Sequence, residues 1–538
     1  MKKSWQASFL LLPGAIFSQE ANALKDKTVR PNIIVILADD MGFSDIGCYG
    51  SEIHTPNLDY LASTGVRFRQ FRNCARSCPT RASLLTGLYP HQTGIGHMTN
   101  DPENTKAFDY DFPGYKGELN NQCVTIPEVL KSSGYQTFMS GKWHLGYENI
   151  AQHPIQRGFD RFYGILAGGT NYFAPKGKRG LTDGETPVEP GEDFYLTDAL
   201  TDNAIRFVKG AQQQKPYFLY LAYTSPHWPL QALKADIDKY RGKYMQGWSP
   251  VRSQRLQKMK QIGLLKEAVE LSPQAGPDWS LLTNSQRTEM DLRMSIYAAQ
   301  IDRMDQNIGR LIQTLKDNGT LDNTLILFLS DNGACAEGGM LGGEPANHLE
   351  TRKGWVLSYG QAWANVSNTP FREYKHWTNE GGISTPLIAH WPDGIRSRRN
   401  NQWIDGSGFL PDIMATLVEV SKSTYPASFN GNKIHPLQGV SLLPALIENG
   451  SIVRPKPMCW EHEGNCALID GDLKLVKKYN ARKANNWELY NLKTDRAESH
   501  NLAGQMPKKV KEMATRYQEW ADSSAVEDWK IIKARNAE

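Results

Sequence analysis

Acidic and amide side chains directly follow two apolar runs of this 538-residue sequence. Asp39 and Asp40 come at the end of the run NIIVILA. Asp331 and Asn332 come shortly after the run TLILFL. Their hard oxygen atoms suit Ca²⁺ or Mg²⁺ better than Zn²⁺, which prefers nitrogen and sulfur. A single aspartate after a strand is commonly only a turn residue, so the prediction of a metal site depends on several such clusters meeting.

Basic and histidine side chains follow two further apolar segments. Lys142 and His144 come after residues 136–140, and His227 follows the run YFLYLAY. In a parallel sheet, the loops at the carboxyl ends of the strands meet at one edge. The clusters are therefore expected to form one site, although each lysine or histidine taken alone is as well explained by a surface or structural role.

The segment SCPTR, residues 77–81, has the features of an anion site. Pro79 suits the first turn of a helix, with Ser77 just before it. The amino end of a helix attracts anions, and Arg81 adds positive charge one turn further on. The alternative is that Ser77 is a plain helix N-cap, which is very common.

The elements that must position these residues alternate between strand and helix. Apolar runs rich in Ile and Val indicate strands buried on both faces. Periodic segments between them indicate helices. The pattern predicts an α/β fold with a large sheet and helices on both of its faces. The predicted strands are residues 32–38, 136–140, 217–223, 324–329 and 385–390, and the predicted helices include residues 126–133 and 288–316.

Two segments depart from this alternation. Residues 230–280 are polar and basic, which fits either a solvated insertion or a lid over the site. After the main unit at residues 28–454, residues 455–538 predict a small antiparallel sheet followed by an amphipathic helix. The predicted strands are residues 468–470, 473–476 and 487–490, and the predicted helix is residues 507–523.

Residues 1–23 have the pattern of a signal peptide: two lysines, an apolar stretch and a cleavage site at Ala21-Asn22-Ala23. The pattern predicts export to the periplasm or beyond. No later apolar run approaches the roughly 20 residues of a membrane span.

The net charge of +4 gives no reason to expect nucleic acid. The seven cysteines lack metal-binding spacing and are interpreted mostly as buried apolar residues. The sequence leaves open whether two of them form a disulfide.

The sequence resembles the type I sulfatases over about residues 31–503. The run SCPTRASLLTG is similar to the family signature, in which a Cys or Ser two residues before a Pro is oxidised to formylglycine. Pro79 and Arg81 place that position at Ser77, so the neighbouring Cys78 is the variable residue. The flanking motifs ILADDMGFSDIGCYG, TGLYPHQTGIGHM, GKWHLG, SPHWPL, FLSDNG and NTPFREYKHWTNEGGISTP are similar as well.

The resemblance implies a fold like that of alkaline phosphatase and a Ca²⁺ ion, with Mg²⁺ as the alternative. The positions that match metal ligands are Asp39, Asp40, Asp331, Asn332 and the modified Ser77. The positions that match the sulfate pocket are Arg81, Lys142, His144, His227 and Lys375.

In the mechanism implied by the resemblance, hydrated formylglycine attacks sulfur while the basic residues and the metal neutralise the sulfuryl oxygens. His227 would protonate the leaving alcohol, and His144 would take a proton so that sulfate is expelled. A serine at position 77 implies a bacterial enzyme with a serine-type maturase. Leu88 stands where many members carry Lys or Arg, so that basic contact is either missing or supplied from elsewhere.

The expected activity is hydrolysis of a sulfate ester, with a sulfated sugar or glycan as the expected substrate and an aryl sulfate as another. His97 and His462 are predicted to contact the sugar. The alternatives are a phosphatase or phosphonate hydrolase of the alkaline phosphatase superfamily, which often uses two metals, and a non-catalytic glycan-binding relative. The intact set of charged pocket residues argues against the second alternative.

Overall fold

The computed structural model describes residue 1 and residues 30–99, 111–483 and 486–535. Apart from residue 1, the predicted signal peptide lies outside the described residues. Within the described ranges, no helix has the length and apolar character needed to span a bilayer.

The strands and helices of the described residues are named in chain order. The strands are β1 Asn32–Ala38, β2 Val66–Phe68, β3 Phe71–Arg72, β4 Gln136–Lys142, β5 Arg161–Ile165, β6 Leu181–Asp183, β7 Thr186–Val188, β8 Tyr217–Ala222, β9 Thr324–Ser330, β10 Leu387–His390, β11 Gln402–Ile404, β12 Gly408–Phe409, β13 Ser428–Phe429, β14 Asn432–Lys433, β15 Met458–His462, β16 Asn465–Asp470, β17 Leu473–Lys477 and β18 Glu488–Asn491. The α-helices are α1 Pro56–Ser63, α2 Ser77–Thr86, α3 Ile126–Ser132, α4 Leu196–Lys209, α5 Lys234–Ile237, α6 Trp248–Gln261, α7 Asn284–Asp317, α8 Gly360–Ser367, α9 Glu380–Ile383, α10 Asp412–Ser421, α11 Leu443–Glu448, α12 Pro507–Ser523 and α13 Trp529–Arg535.

A large mixed sheet forms the centre of the molecule. Within the described residues it has ten strands in the order β11-β2-β10-β9-β1-β8-β4-β5-β6-β7. The central strands β9, β1, β8, β4 and β5 are parallel, whereas β10 is antiparallel to β9. The predicted α/β class is confirmed. The parallel centre matters for function because it places the ends of β1, β4, β8 and β9 at one edge.

Strand β1 is apolar throughout because both of its faces are buried. Ile33, Val35 and Leu37 pack into one core with helices α2, α3, α10 and α12. Ile34 and Ile36 pack into a second core with helices α1, α4, α6, α7 and α8. Because successive side chains of a strand point to opposite faces, helices on both faces require apolar residues at every position.

The C-terminal part forms a four-stranded antiparallel sheet, β15 to β18, with α12 beside it. The predicted small sheet and its helix are confirmed. The strand β15 is not among the predicted strands, and its last residue, His462, was interpreted only as a sugar contact. Trp460, Leu468 and Met513 share the core of α2 and α3, so this sheet is packed onto the large unit.

Residues 230–280 are a packed insertion in this structure. Trp248, Val251 and Met259 of α6 enter the second core. Arg255 is buried and pairs with Asp45 at 2.6 Å and with Glu52 at 2.8 Å. The basic character of the segment thus arises partly from an arginine that binds acidic partners inside the protein. The domain boundaries themselves stay a prediction.

A buried ion-pair network joins the C-terminal sheet to strand β3 and helix α9 of the large unit. Glu380 at the start of α9 accepts two hydrogen bonds of 2.9 Å from Arg72. It also accepts one of 3.0 Å from Lys474 of β17. All three side chains are fully buried. Burial alone would raise the pKa of Glu380, but Arg72 and Lys474 outweigh it and hold the pKa well below its ordinary value.

Replacing Glu380 by Gln should therefore lower the free energy of unfolding by about 3–5 kcal/mol, because Arg72 loses its buried counter-charge. Since the pKa of Glu380 is lowered in the folded state, its contribution is complete at neutral pH. The contribution fades as the pH falls below about 4, the ordinary pKa of glutamate. Urea unfolding at pH 7 and pH 4 measures both effects. The exposed Glu419→Gln is the control, and equal stability of the two variants would contradict the prediction.

Candidate active site

The predicted strand-end clusters meet at one edge of the large sheet. Asp39 and Asp40 follow β1, and Asp331 follows β9, the neighbouring parallel strand. The Asp40 N–H donates to Asp331 Oδ1 at 3.0 Å. Asn332 Nδ2 donates to Asp40 Oδ1 at 2.6 Å. Three carboxyl groups and one amide are thus gathered in a space shielded from water.

Ser77 is the first residue of α2 and points into this acidic group. Its hydroxyl donates to Asp39 Oδ1 at 3.0 Å and lies in a shorter contact with Asp331 Oδ2. The alternative N-cap role is not found, because the helix begins at Ser77 itself and Arg76 occupies the cap position. The hydroxyl is therefore committed to the site rather than to the helix backbone.

Two cationic side chains bind the same carboxylates. Lys142, the last residue of β4, places Nζ 2.7 Å from Asp39 Oδ2 and 3.4 Å from Ser77 Oγ. Arg81 Nη2 lies 3.2 Å from Asp331 Oδ2, and its Nη1 donates to the carbonyl of Lys142 at 2.9 Å. This second bond fixes Arg81 to the end of β4.

Lys375 and His227 occupy the other side of the site. Lys375 Nζ lies 2.9 Å from Asp40 Oδ2 and 3.4 Å from His227 Nε2. His227 Nε2 lies 3.4 Å from the same oxygen of Asp40. His227 Nδ1 is 2.6 Å from the carbonyl of Trp228. That contact assigns the ring proton to Nδ1, which leaves Nε2 facing the lysine and the carboxylate.

His144 is held by a different set of contacts. Its Nε2 lies 3.2 Å from Cys78 Sγ. A side chain at Gly168 would place Cβ 2.5 Å from the His144 ring, so the close approach of that loop requires glycine. Burial, followed by the charge of Lys142, keeps the pKa of His144 well below its ordinary value.

The pKa shifts of the acidic group show how strongly its residues interact. Burial, followed by the charge of Asp39, raises the pKa of Asp331. Burial would also raise the pKa of Asp40, but Lys375 and His227 outweigh it and lower that pKa. Burial lowers the pKa of His227 to about 4. Burial therefore disfavours the charged form of these carboxylates, and neighbouring cations are needed to keep them ionised.

The donor set fits a divalent cation that prefers oxygen. Asp39, Asp40 and Asp331 supply carboxylate oxygens, and Asn332 supplies an amide oxygen. The amide oxygen, Asn332 Oδ1, is buried and has no hydrogen-bond partner among the described residues. A buried polar atom without a partner is costly, and a hard cation such as Ca²⁺ or Mg²⁺ would satisfy it.

A cavity of about 330 Å³ leads to Ser77. Sequence reasoning missed several of its residues. Glu337 lies in the loop after β9 and accepts hydrogen bonds from Arg76 and Trp228, both at 2.9 Å. Its position after a strand was a usable signal. The missed residues that line the cavity include Arg76, Arg179, Trp228, Glu337 and Trp355.

The sulfatase family matches residues 31–420 of the chain. The chain belongs to the sulfatase family. It is 34% identical over 515 residues to an uncharacterized sulfatase of Schizosaccharomyces pombe, a match that covers 90% of this chain and 92% of the relative. It is 36% identical over 438 residues to the arylsulfatase of Klebsiella aerogenes, covering 77% of this chain and 91% of the relative.

A solved structure is similar as well. The crystal structure of Ps i-CgsB in complex with k-i-k-neocarrahexaose superposes with a TM-score of 0.67 at 26% identity, covering 92% of this chain and 93% of that chain. The resemblance to type I sulfatases drawn from the motifs is thus confirmed. The protein is an enzyme of the class that hydrolyses sulfate esters.

The other predicted residues of this sulfatase differ in whether they reach the cavity. His97 lines the cavity, whereas His462 is fully buried behind it. The predicted direct contact of His462 with a sugar therefore does not match its position. Leu88 is buried in the core with α2 and brings no charge to the site, whereas the separately predicted Lys142 lies 3.4 Å from Ser77 Oγ. All seven cysteines are free thiols, six of them buried, so no disulfide forms in this structure.

Proposed function

We propose that this sulfatase removes sulfate from a sugar or glycan, using a formylglycine made from Ser77 and a Ca²⁺ ion held beside it. The observation that carries the proposal is the position of Ser77. Its hydroxyl contacts the carboxylates of Asp39 and Asp331 and the ammonium group of Lys142. A nucleophile and the groups that neutralise a sulfate anion therefore share one buried point.

The cationic side chains would bind the sulfate group. Arg81, Lys142 and Lys375 bring three positive charges to the cavity end. In a water-poor site such charges stabilise the charge that develops on the sulfuryl oxygens. Arg81 is positioned by its bond to the carbonyl of Lys142, so these two cations would act as one rigid unit.

Formylglycine supplies a hydrated aldehyde, whose second hydroxyl permits sulfate release that an ordinary serine does not. His144 is poised near residue 77 through its contact with Cys78 and would accept a proton there. With the anionic substrate beside it, His227 would take up a second proton at Nε2 and donate that proton to the leaving alcohol. Asp39, Asp40, Asp331, Asn332 and the modified Ser77 would hold the cation, whose chemistry is Lewis-acid polarisation.

The sugar part of the proposal rests on the cavity and on a relative. Trp228 and Trp355 line its wall with ring centroids 5.1 Å apart, and aromatic side chains offer apolar faces with polar edges. The structural relative Ps i-CgsB binds an oligosaccharide, k-i-k-neocarrahexaose.

We also propose bacterial maturation by a serine-type maturase, on the basis of Ser77, and export to the periplasm or beyond, on the basis of residues 1–23.

The test is a rate comparison with matured enzyme. Sulfated monosaccharides of defined position, an aryl sulfate, and the matching phosphate and phosphonate esters are each incubated at equal concentration. We expect release of sulfate from at least one sugar at a kcat/KM more than about 100-fold above that of its phosphate analogue, about 2.7 kcal/mol. Faster phosphate or phosphonate hydrolysis would favour the phosphatase alternative. Glycan binding without turnover would favour a non-catalytic relative.

Replacing His227 by Ala should have an effect that depends on the leaving group. A sugar alkoxide is a poor leaving group and needs a proton, so its sulfate ester should react about 10²–10³-fold more slowly. An aryl sulfate with an acidic phenol should lose far less activity. Steady-state kinetics on both substrates measure the difference, with the exposed His54→Gln as control. Equal losses on both substrates would show that His227 is not the acid.

A further inference from the structure

A second cluster of potential metal ligands lies on the wall of the cavity, apart from the acidic group at Ser77. One ligand atom from each of His97, His462 and Glu463 lies within 4.8 Å of the others. The three residues come from two distant parts of the chain: His97 lies in the loop after α2, His462 is the last residue of β15, and Glu463 begins the turn to β16. None of them belongs to the residues that would hold the Ca²⁺ ion.

The distances within this cluster suit a tetrahedral ion. His97 Nδ1 lies 3.4 Å from Glu463 Oε1, and His462 Nε2 lies 3.5 Å from the same oxygen. Ligands bound at about 2.0–2.1 Å to a tetrahedral Zn²⁺ lie about 3.3–3.5 Å apart. Both imidazole–carboxylate distances therefore match the spacing that the ion requires, and the ligand atoms of the two imidazoles lie within 4.8 Å of each other.

His462 gives an independent reason to expect a ligand. Its side chain is fully buried, and within the described residues neither ring nitrogen makes a well-formed hydrogen bond, because the approach of Nε2 to Glu463 at 3.5 Å is long. A buried imidazole with such poorly satisfied nitrogens is unfavourable. A cation between His462 and Glu463 would satisfy one nitrogen and neutralise the carboxylate.

Further residues hold the carboxylate in place. His376 Nδ1 lies 3.4 Å from the other oxygen of Glu463, and its Nε2 lies 3.2 Å from Asn465 Nδ2. Such outer contacts orient metal ligands. The nearby positive charge of Arg76 is paired with Glu337 at 2.9 Å, which reduces its repulsion of a cation.

We propose that His97, His462 and Glu463 form a binding site for Zn²⁺ or a similar transition-metal ion. Two nitrogens and one carboxylate oxygen are a ligand set that Zn²⁺ accepts, with a fourth position left for water or substrate. His97 and Glu463 both line the cavity, so that position faces the space where the substrate enters. The ion would also connect the turn of the C-terminal sheet to the loop that carries His97.

The test measures metal binding directly, in full-length protein with Ca²⁺ present in excess throughout. After dialysis against Zn²⁺, elemental analysis should find one equivalent of zinc in the wild type. Cobalt should give the visible absorption bands of a tetrahedral site. His97→Gln and Glu463→Gln should each weaken zinc binding by at least about tenfold and lose these bands. His348→Gln, which removes a histidine paired with Glu344 at 3.0 Å outside the cluster, should bind as the wild type does.

Two controls keep the outcome clear. Circular dichroism and a cooperative thermal transition show that each variant is folded, and His97 and Glu463 are preferred to the fully buried His462 for that reason. A Ser77→Ala variant should retain the zinc equivalent although it releases no sulfate, so failure of this site is distinguishable from failure of the proposed function. No zinc in the wild type, or wild-type affinity in both cluster variants, would overturn the proposal.

Discussion

Replacing Ser77 by Ala will abolish sulfate release, with a fall in kcat of at least about 10⁴-fold, the loss typical when a covalent nucleophile is removed. The alanine side chain has no oxygen to be oxidised and no atom to attack sulfur. Its methyl group should fit without strain, since Ser77 begins α2 and its hydroxyl makes no cap bond to the helix backbone. The folded structure should therefore survive while the chemistry is lost.

The matched control is Ser83→Ala in the same helix. Ser83 is also buried, and its hydroxyl has no hydrogen-bond partner among the described residues, so its removal should leave kcat within about twofold and stability within about 1 kcal/mol. Sulfate release on one substrate and thermal unfolding of both variants complete the measurement. Turnover by Ser77→Ala above about 1% of the wild-type rate would exclude residue 77 as the nucleophile.

Mass spectrometry of the peptide that contains Ser77 completes this experiment. Protein made with a serine-type maturase should have lost two hydrogens at residue 77, as expected for oxidation of an alcohol to an aldehyde. Protein made without the maturase should keep serine there and be nearly inactive. Full activity with an unmodified Ser77 would contradict the formylglycine mechanism. It would not contradict the proposed roles of the metal and of the cationic side chains.

The acidic residues of the site were predictable because the sheet obeys a simple rule. Asp39 and Asp331 follow β1 and β9, which are neighbours and parallel, and the carboxyl ends of parallel strands meet. Lys142 and His227 follow from β4 and β8 in the same way. Lys375 has no such signal, since it lies in a loop without a strand before it, and only the resemblance of its motif indicated its place.

Other features depend on contacts between distant segments, which local sequence patterns do not encode. The approach of Cys78 to His144 joins α2 to the loop after β4. The pairing of Arg179 with the ring of Trp355, 4.4 Å from its centroid, joins two irregular loops. Glu380 was part of a recognised motif, yet its role in binding Arg72 and Lys474 emerges only when the C-terminal sheet is in place.

Replacing Asp40 by Asn will weaken the metal site and lower turnover by about 10³-fold. The substitution keeps the shape of the side chain but removes one of the negative charges facing the cation. It also removes the carboxylate that binds Lys375 at 2.9 Å. Loss of one such charge contributes several kcal/mol, and about 4 kcal/mol corresponds to that change in rate.

Calcium titration of metal-free protein, followed by kcat at each Ca²⁺ concentration, separates two causes of this loss. If Asp40 only holds the ion, a large excess of Ca²⁺ should restore turnover. If it also positions Lys375 against the sulfate, turnover should stay low when the site is saturated, and the contact of 2.9 Å favours this second result. The exposed Asp317→Asn is the control for lost charge. Calcium affinity and kcat equal to those of the wild type would remove Asp40 from the site and leave Lys375 to be held by Glu337, whose Oε2 is 3.9 Å away.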